Sequence, residues 1–255
     1  MAKATGLGDL LFVDGYDLSG DVGAVQTISA PSNPLDVTGI NKSALERIYG
    51  LADGLIEFSA FFNDAANQEH AVLKAKPAGN RIVSYFKGSA IGNMAASLVA
   101  KQNTFDWTRG ADGSLVGTIQ CQGSNGAGLE YGGKGGASGA AADGQLTAGK
   151  RTDTAATNGA SLDCLAASAL GLSAVLHVFA FTGTSVTVTI QESSDDAVGD
   201  PFAAVVGGAF AAASAIGAER IVTSLTLSIE RYLRVVTTGT FTNAVFAVSF
   251  TRYPR

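Results

Sequence analysis

Between Gly132 and Gly144 the chain reads Gly-Gly-Lys-Gly-Gly-Ala-Ser-Gly-Ala-Ala-Ala-Asp-Gly, and no strand or helix selects so many residues without side chains to pack. Such a composition belongs to a connector. Segments rich in Val, Ile, Thr and Phe lie on either side, many of them alternating apolar with polar residues, so the chain reads as two β-rich bodies. This predicts a first domain over 1–146, a Gly/Ala-rich joint over 132–146 that acts as a hinge, and a second domain over 147–255. The stretch 145–154 could pair with either body.

The 255 residues suffice for two domains, and 46% hydrophobic composition can supply a core for both, which excludes disorder of the whole chain. Only 15% of residues are charged and the mean hydropathy is +0.23, low in charge for a chain that must keep its entire surface in water. Surface buried between subunits is the expectation. A net charge of -5 and a pI near 5.0 argue against a protein that grips nucleic acid through concentrated Lys and Arg. Cys121 and Cys164 lack neighbours at metal-ligand spacing and read as buried free thiols. The start Met1-Ala2-Lys3-Ala4-Thr5-Gly6 lacks a basic segment followed by an apolar one, so no signal peptide and synthesis in the cytosol are expected. The longest apolar run, Leu172 to Phe181, falls far short of the ~20 residues a membrane helix needs, and no membrane role is expected.

Near the start, Leu10 to Val13 opens the first body, and Asp14, Asp17 and Asp21 among Gly15, Gly20 and Gly23 mark turns. Residues 29–54 hold Pro31 and Pro34 and then a polar centre punctuated by Leu35, Ile40, Leu45 and Ile48. That is too long for an idle loop, and it reads as an arm that docks elsewhere. Leu55 to Phe62 is a strand with Ile56, Phe58, Ala60 and Phe62 on one face and Glu57 and Ser59 on the other. Asn63 to Lys76 is predicted as a short helix stopped by Pro77, with His70 as a solvated or capping residue. In Ser114 to Gln122, Leu115, Ile119 and Cys121 share a dry face while Thr118, Gln120 and Gln122 share a wet one. Beyond the joint, strands are expected at 172–181, 185–191, 203–206, 220–229, 232–238 and 244–252, with turns at Thr182-Gly183-Thr184 and Thr238-Gly239-Thr240. Regular short strands with such punctuation suggest a sandwich or jelly roll.

Catalytic motifs fail on their chemistry. Gly144 to Arg151 fits Gly-x-x-x-x-Gly-Lys but ends in Arg151, where a phosphate loop needs the hydroxyl that holds magnesium. His70 and His177 are the only histidines, no Gly-x-Ser-x-Gly elbow is present, and Glu69 beside His70 points elsewhere on a helix. Glu57, Glu130, Glu192, Glu219 and Glu230 have no spacing that pairs two carboxylates, although they could meet in space. No enzyme activity, cofactor or metal is expected, and Asp195, Asp196 and Asp200 read as turn acids.

Three stretches of the first body carry a family resemblance: Phe12-Val13-Asp14-Gly15-Tyr16-Asp17-Leu18-Ser19-Gly20; Asp36-Val37-Thr38-Gly39 with Glu46-Arg47-Ile48; and Asp53-Gly54-Leu55-Ile56-Glu57-Phe58. With Arg109 to Leu115 they resemble the major tail-tube proteins of long-tailed bacteriophages, and Tyr232 to Ala244 resembles the C-terminal extension of some of them. The resemblance implies a mainly β chain: a tail-tube-type β-sandwich or barrel with one flanking helix, followed by a C-terminal β-sandwich of jelly-roll or Ig-like type. It further implies a structural protein of the virion tail, assembled in the host cytoplasm into stacked hexameric rings whose lumen conducts DNA without specific binding. Tape-measure and tail-terminator proteins would be its neighbours. On this resemblance the arm would reach an adjoining ring, making Asp36, Thr38, Asn41, Lys42, Glu46 and Arg47 contact candidates. Glu57, Thr118, Gln120 and Gln122 become candidates for the lumen surface, and the second body could meet host-surface glycans. The alternative is a two-module carbohydrate-binding or adhesion protein, which needs a coplanar aromatic platform around Trp107 and the tyrosines.

Overall fold

The computed structural model describes residues 5–124, 126–133 and 143–252 and is mainly β, as expected. The first body is built from β1 (Leu10–Val13), β2 (Tyr16–Asp17), β3 (Val22–Ser29), a separate hairpin of β4 (Ser32–Asp36) and β5 (Arg47–Ala52), then β6 (Leu55–Phe61), α1 (Glu69–Leu73), β7 (Arg81–Phe86), β8 (Ala95–Arg109), β9 (Leu115–Gly123) and β10 (Leu129–Gly132). Its sheet runs β2-β1-β7-β8-β9-β6-β3, with β10 also on β8, and every pairing is antiparallel. The period-two pattern of β6 and β9 explains the core: Ile56, Phe58 and Ala60 face Ile119 and Cys121 on the buried side, each fully shielded. Burying a side chain such as Phe58 contributes ~2–3 kcal/mol.

Helix α1 is one turn, where the sequence predicts a helix from Asn63 to Lys76. Asn67 takes a left-handed φ of 65° just ahead of it and Lys76 does so just after, at 39°. Asn63 spends its carboxamide on a turn to the Ala65 amide and on Asp21. The helix start is therefore held from outside, by Asp21 Oδ2 accepting from the Glu69 amide at 3.0 Å.

The second sheet holds β11 (Gly144–Gln145), β12 (Arg151–Asp153), β13 (Leu162–Asp163), β14 (Ser173–Ser193), β15 (Ala203–Ala209), β16 (Gly217–Val222) and β17 (Tyr232–Thr251). Strands β14 and β17 pair along almost their whole length. The predicted turns at Gly183 and Gly239 are instead irregularities inside these long strands. Gly183 has φ +148° and Gly239 has φ +116°, and a side chain at either would overlap the opposite backbone. The bends let one hairpin contribute to two half-sheets, with β16 beside the first part of β14 and β15 beside the last. Both β11 and β12 pair with β17, so the stretch 145–154 joins the second sheet, while Gln145 also exchanges backbone bonds with Gly92 and Asn93 of the first body.

The two sheets do not hang on a hinge. They meet along a seam in which Phe12, Phe86, Ala95 and Ala247 form a small core of their own, flanked by Leu10 and Phe179. Gly132 and Gly144 lie against each other, so the two ends of the glycine-rich run leave from and return to one place. Residues 134–142 lie outside the described residues. The contacts that tie the sheets together come from residues 90–162 positions apart, beyond the reach of local sequence pattern.

Candidate functional site: open sheet edges, a projecting arm and a buried seam

Beyond Ala100, β8 bonds only to β9 among the described residues, while β7 and β10 flank its first part. Among the described residues, strand β3 pairs only with β6. Residues 101–109 of β8, with β9, β6 and β3, therefore make a four-stranded antiparallel sheet that is open along both sides. Apart from Asn103 O, which accepts from Lys76 Nζ at 3.3 Å, the outer rows of N–H and C=O groups have no strand partner among the described residues and are a template for further strands.

One face of this small sheet is wet. Glu57 stands directly opposite Gln120, Ser59 opposite Thr118 and Leu55 opposite Gln122, and all lie outside the core. Gln122 donates from Nε2 to Asp53 Oδ2 at 2.8 Å and accepts from Asn103 Nδ2 at 3.0 Å. The four wet-face candidates thus share one surface, with Gln122 at the end where the arm begins.

The arm is the β4–β5 hairpin, and among the described residues its strands pair only with each other. Its polar candidates organise the hairpin itself. Asp36 Oδ1 accepts from the Thr38 amide at 2.9 Å, Thr38 Oγ1 accepts from the Glu46 amide at 2.8 Å, and Lys42 pairs with Glu46 at 3.0 Å. Bonds from the Thr38 hydroxyl and amide hold the Asp36 carboxyl below its ordinary pKa. Asp36 stands opposite Arg47, and Asn41 lies in the turn. Leu35, Ile40, Leu45 and Ile48, the apolar residues marked in the sequence, belong to a wider display with Val37, Tyr49 and Leu51, all 46–108% exposed. Tyr49 and Leu51 carried no signal of their own, because they fit an ordinary half-buried strand.

At the opposite end of the sheet, Phe62, His70, Phe105 and Trp107 form an aromatic cluster. Phe62 is 4.8 Å from His70 and 5.3 Å from Trp107, which is itself 5.3 Å from Phe105. His70 is therefore half-buried between rings, where the sequence suggested a solvated or capping residue. Trp107 meets Phe62 and Phe105 edge-on, at 69° and 83°, a geometry unlike the coplanar platform the adhesion alternative needs. Phe61, Phe62 and Leu115 remain exposed at this end.

The seam holds the other concentration of polar groups. His177 Nδ1 accepts from the Gly15 amide at 3.1 Å, so Nε2 carries the ring proton and donates to Ser84 Oγ at 2.9 Å. Hydrogen bonds join Ser84 Oγ to Ser97 Oγ at 2.8 Å and Ser97 Oγ to Ser249 Oγ at 2.9 Å. A serine beside a histidine is the pair hydrolases use, but here Nε2 already bears a proton and cannot take one. Burial drives the His177 pKa down to about 3. Alongside, Arg220 grips Glu130 through Nε at 2.8 Å and Nη2 at 2.5 Å, and Lys150 pairs with Asp17.

Of the remaining chemical candidates, Glu192 and Glu230 meet beside Asp200, while Arg151 and Glu219 are engaged elsewhere. Arg151 is occupied by Asp153, Val235 O and Thr157 O, with no cradle for a phosphate. Glu219 accepts from the Ala211 amide, and Glu192 from the Glu230 amide. Burial raises both Glu192 and Glu230, with Asp200 adding repulsion. Among the described residues no group of three His, Cys, Asp or Glu is placed to hold a metal, and no helix is long and apolar enough to cross a membrane. Both cysteines are free and buried, and desolvation pushes each thiol up to about 12.

No protein-family model matches the chain, and no curated protein does. Solved structures give distant likenesses. A chain of the "Virion of native gene transfer agent (GTA) particle" is 15% identical at a TM-score of 0.41, covering 51% of this chain and 98% of its own. The SPP1 Dit (gp 19.1) protein is 11% identical at 0.32, covering 95% of this chain and 99% of its own. A chain of the phage p2 baseplate is 9% identical at 0.32, with 96% and 99% covered.

Proposed function

We propose that this chain is a structural subunit of a bacteriophage tail that assembles into rings, stacked as a tail tube through which DNA leaves the virion. The observation that carries the reading is the four-stranded sheet open on both sides. Its strands alternate in direction, so under a rotation axis along the strands β3 of one copy meets β8 of the next in antiparallel fashion, and closure of the ring removes both open edges of this sheet. The family resemblance supplies hexameric rings as the expected closure. In this reading the wet face with Glu57, Thr118, Gln120 and Gln122 lines the lumen, where acidic and neutral polar groups let DNA slide without the phosphate contacts that retain it. The first sheet with the arm over 29–54 builds the wall, and residues 147–255 sit outside it. Tape-measure and tail-terminator proteins are the proposed tail partners.

Negative-stain microscopy of the purified chain tests this directly: rings or tubes with a stain-filled lumen are expected. A strict monomer at all concentrations overturns the proposal. Gln26→Pro, at the exposed irregularity of β3 between Val25 and Thr27, should leave the monomer folded by circular dichroism but abolish ring closure.

A further inference from the structure

Where the two sheets face each other, Ser97 of β8, Glu130 of β10, Ser173 of β14 and Ser249 of β17 line a cavity of about 10 Å³. Strand register brings them together: Ser97 stands opposite Glu130 in the first sheet, while in the second Ser173 stands opposite Thr251 and Ser249 opposite Val175. All four are buried. We propose that this cavity is a binding site for a single water molecule, which joins the serine chain of His177 to the Arg220–Glu130 pair and makes them one network.

Size selects the ligand first. About 10 Å³ of accessible space is close to the room one water occupies, and it is too little for an organic molecule or a hydrated ion. Charge agrees, because Glu130 disfavours an anion and is already paired with Arg220, so a cation gains little there. Counting donors and acceptors then shows what a water would satisfy. Ser173 Oγ has no hydrogen-bond partner among the described residues although Ser173 is only 1% exposed, and a buried hydroxyl left dry is costly. Ser84, Ser97 and Ser249 bring three hydroxyl protons to the two bonds that join them. One proton is left over. Because Ser84 accepts from His177 Nε2, a chain running from Ser84 through Ser97 to Ser249 leaves that proton on Ser249, at the cavity wall. Each Glu130 oxygen takes one bond from Arg220 and keeps capacity for another. Two hydroxyl donors and a carboxylate acceptor give the two to four partners a buried water requires.

Two measurements test it. With the water bound, Ser173→Ala removes one of its partners and should lower the urea midpoint by about 0.5 M. In a dry cavity the same change removes a stranded hydroxyl and leaves the midpoint unchanged or raised, an outcome that overturns the proposal. High-resolution crystallography of the full chain supplies the second measurement: one ordered oxygen is expected within hydrogen-bonding distance of Ser173 Oγ and of Ser249 Oγ or Glu130. A wild-type cavity without that density overturns the proposal even where Ser173→Ala is destabilised, since the loss then comes from strand packing.

Discussion

The amide of Gly15 donates to Nδ1 of His177 across the seam at 3.1 Å, and this single bond sets the tautomer of a fully buried ring. Through it, the turn between β1 and β2 is coupled to the first part of β14, 162 positions away. His177→Phe keeps an aromatic ring in place but strands the Gly15 amide, while Ser84 retains its bond to Ser97. We expect a loss of ~1–3 kcal/mol in denaturant unfolding, the cost of one stranded buried group.

Gly15 is also irreplaceable for shape. It has φ +84°, and a Cβ there would lie 2.5 Å from Gly217 O and 2.6 Å from Val178 O. Gly15→Ala should therefore destabilise by more than about 2 kcal/mol, because both the backbone conformation and the close approach of the second sheet oppose it. A melting temperature equal to wild type would show that the seam can open there without loss.

Arg220 and Glu130 form a two-point pair across the seam, with Glu130 nearly buried. Arg220→Met leaves that carboxylate uncompensated and should cost ~3–5 kcal/mol, whereas Arg220→Met combined with Glu130→Leu should recover at least half. The double-mutant comparison by thermal unfolding separates the penalty of a stranded charge from the worth of the pair.

Glu69 is fully buried with both carboxylate oxygens unpartnered, and desolvation followed by repulsion from Asp21 raises its pKa to about 7. The folded state thus holds a proton that the unfolded chain releases above its ordinary value of 4.5. This contribution to stability is complete below pH 4.5 and is lost as pH rises through 7. Glu69→Gln keeps the neutral shape at every pH. Relative to wild type it should gain on the order of 2 kcal/mol between pH 4.5 and 7.5; a constant difference in urea titrations at the two pH values argues against a protonated Glu69.

The glycine-rich run begins and ends at one place, with Gly132 against Gly144. Doubling the number of residues between Gly133 and Asp143 should change stability by only ~0.6 kcal/mol, the cost of closing a longer loop. A run that spanned a fixed distance between separate bodies would respond to shortening instead, and paired shortening and lengthening variants compared by calorimetry distinguish the two.

Local pattern was enough for the strands of the first body: period-two alternation in Leu55–Phe61 and Leu115–Gly123 placed Ile56, Phe58, Ile119 and Cys121 in the core and Glu57, Thr118, Gln120 and Gln122 on the wet face. The same rule failed at Gly183 and Gly239. A glycine between β-branched residues marks a turn as readily as a bend inside a paired strand, and only the partner across the sheet distinguishes them. It failed again at Asn63–Lys76, where side-chain bonds from Asn63 and Asp21 replaced backbone helix bonds.

By itself, then, the sequence determined the β class, the two core-forming halves, the buried thiols and the existence of an arm, because each depends on composition and on spacing within about ten residues. Tertiary structure decided the rest. The seam through His177, the assignment of 145–154 to the second sheet, the two open edges at β3 and β8, and the opposition of arm and aromatic end all depend on residues brought together from distant parts of the chain. Such meetings are set by how whole sheets pack, and no local periodicity encodes them.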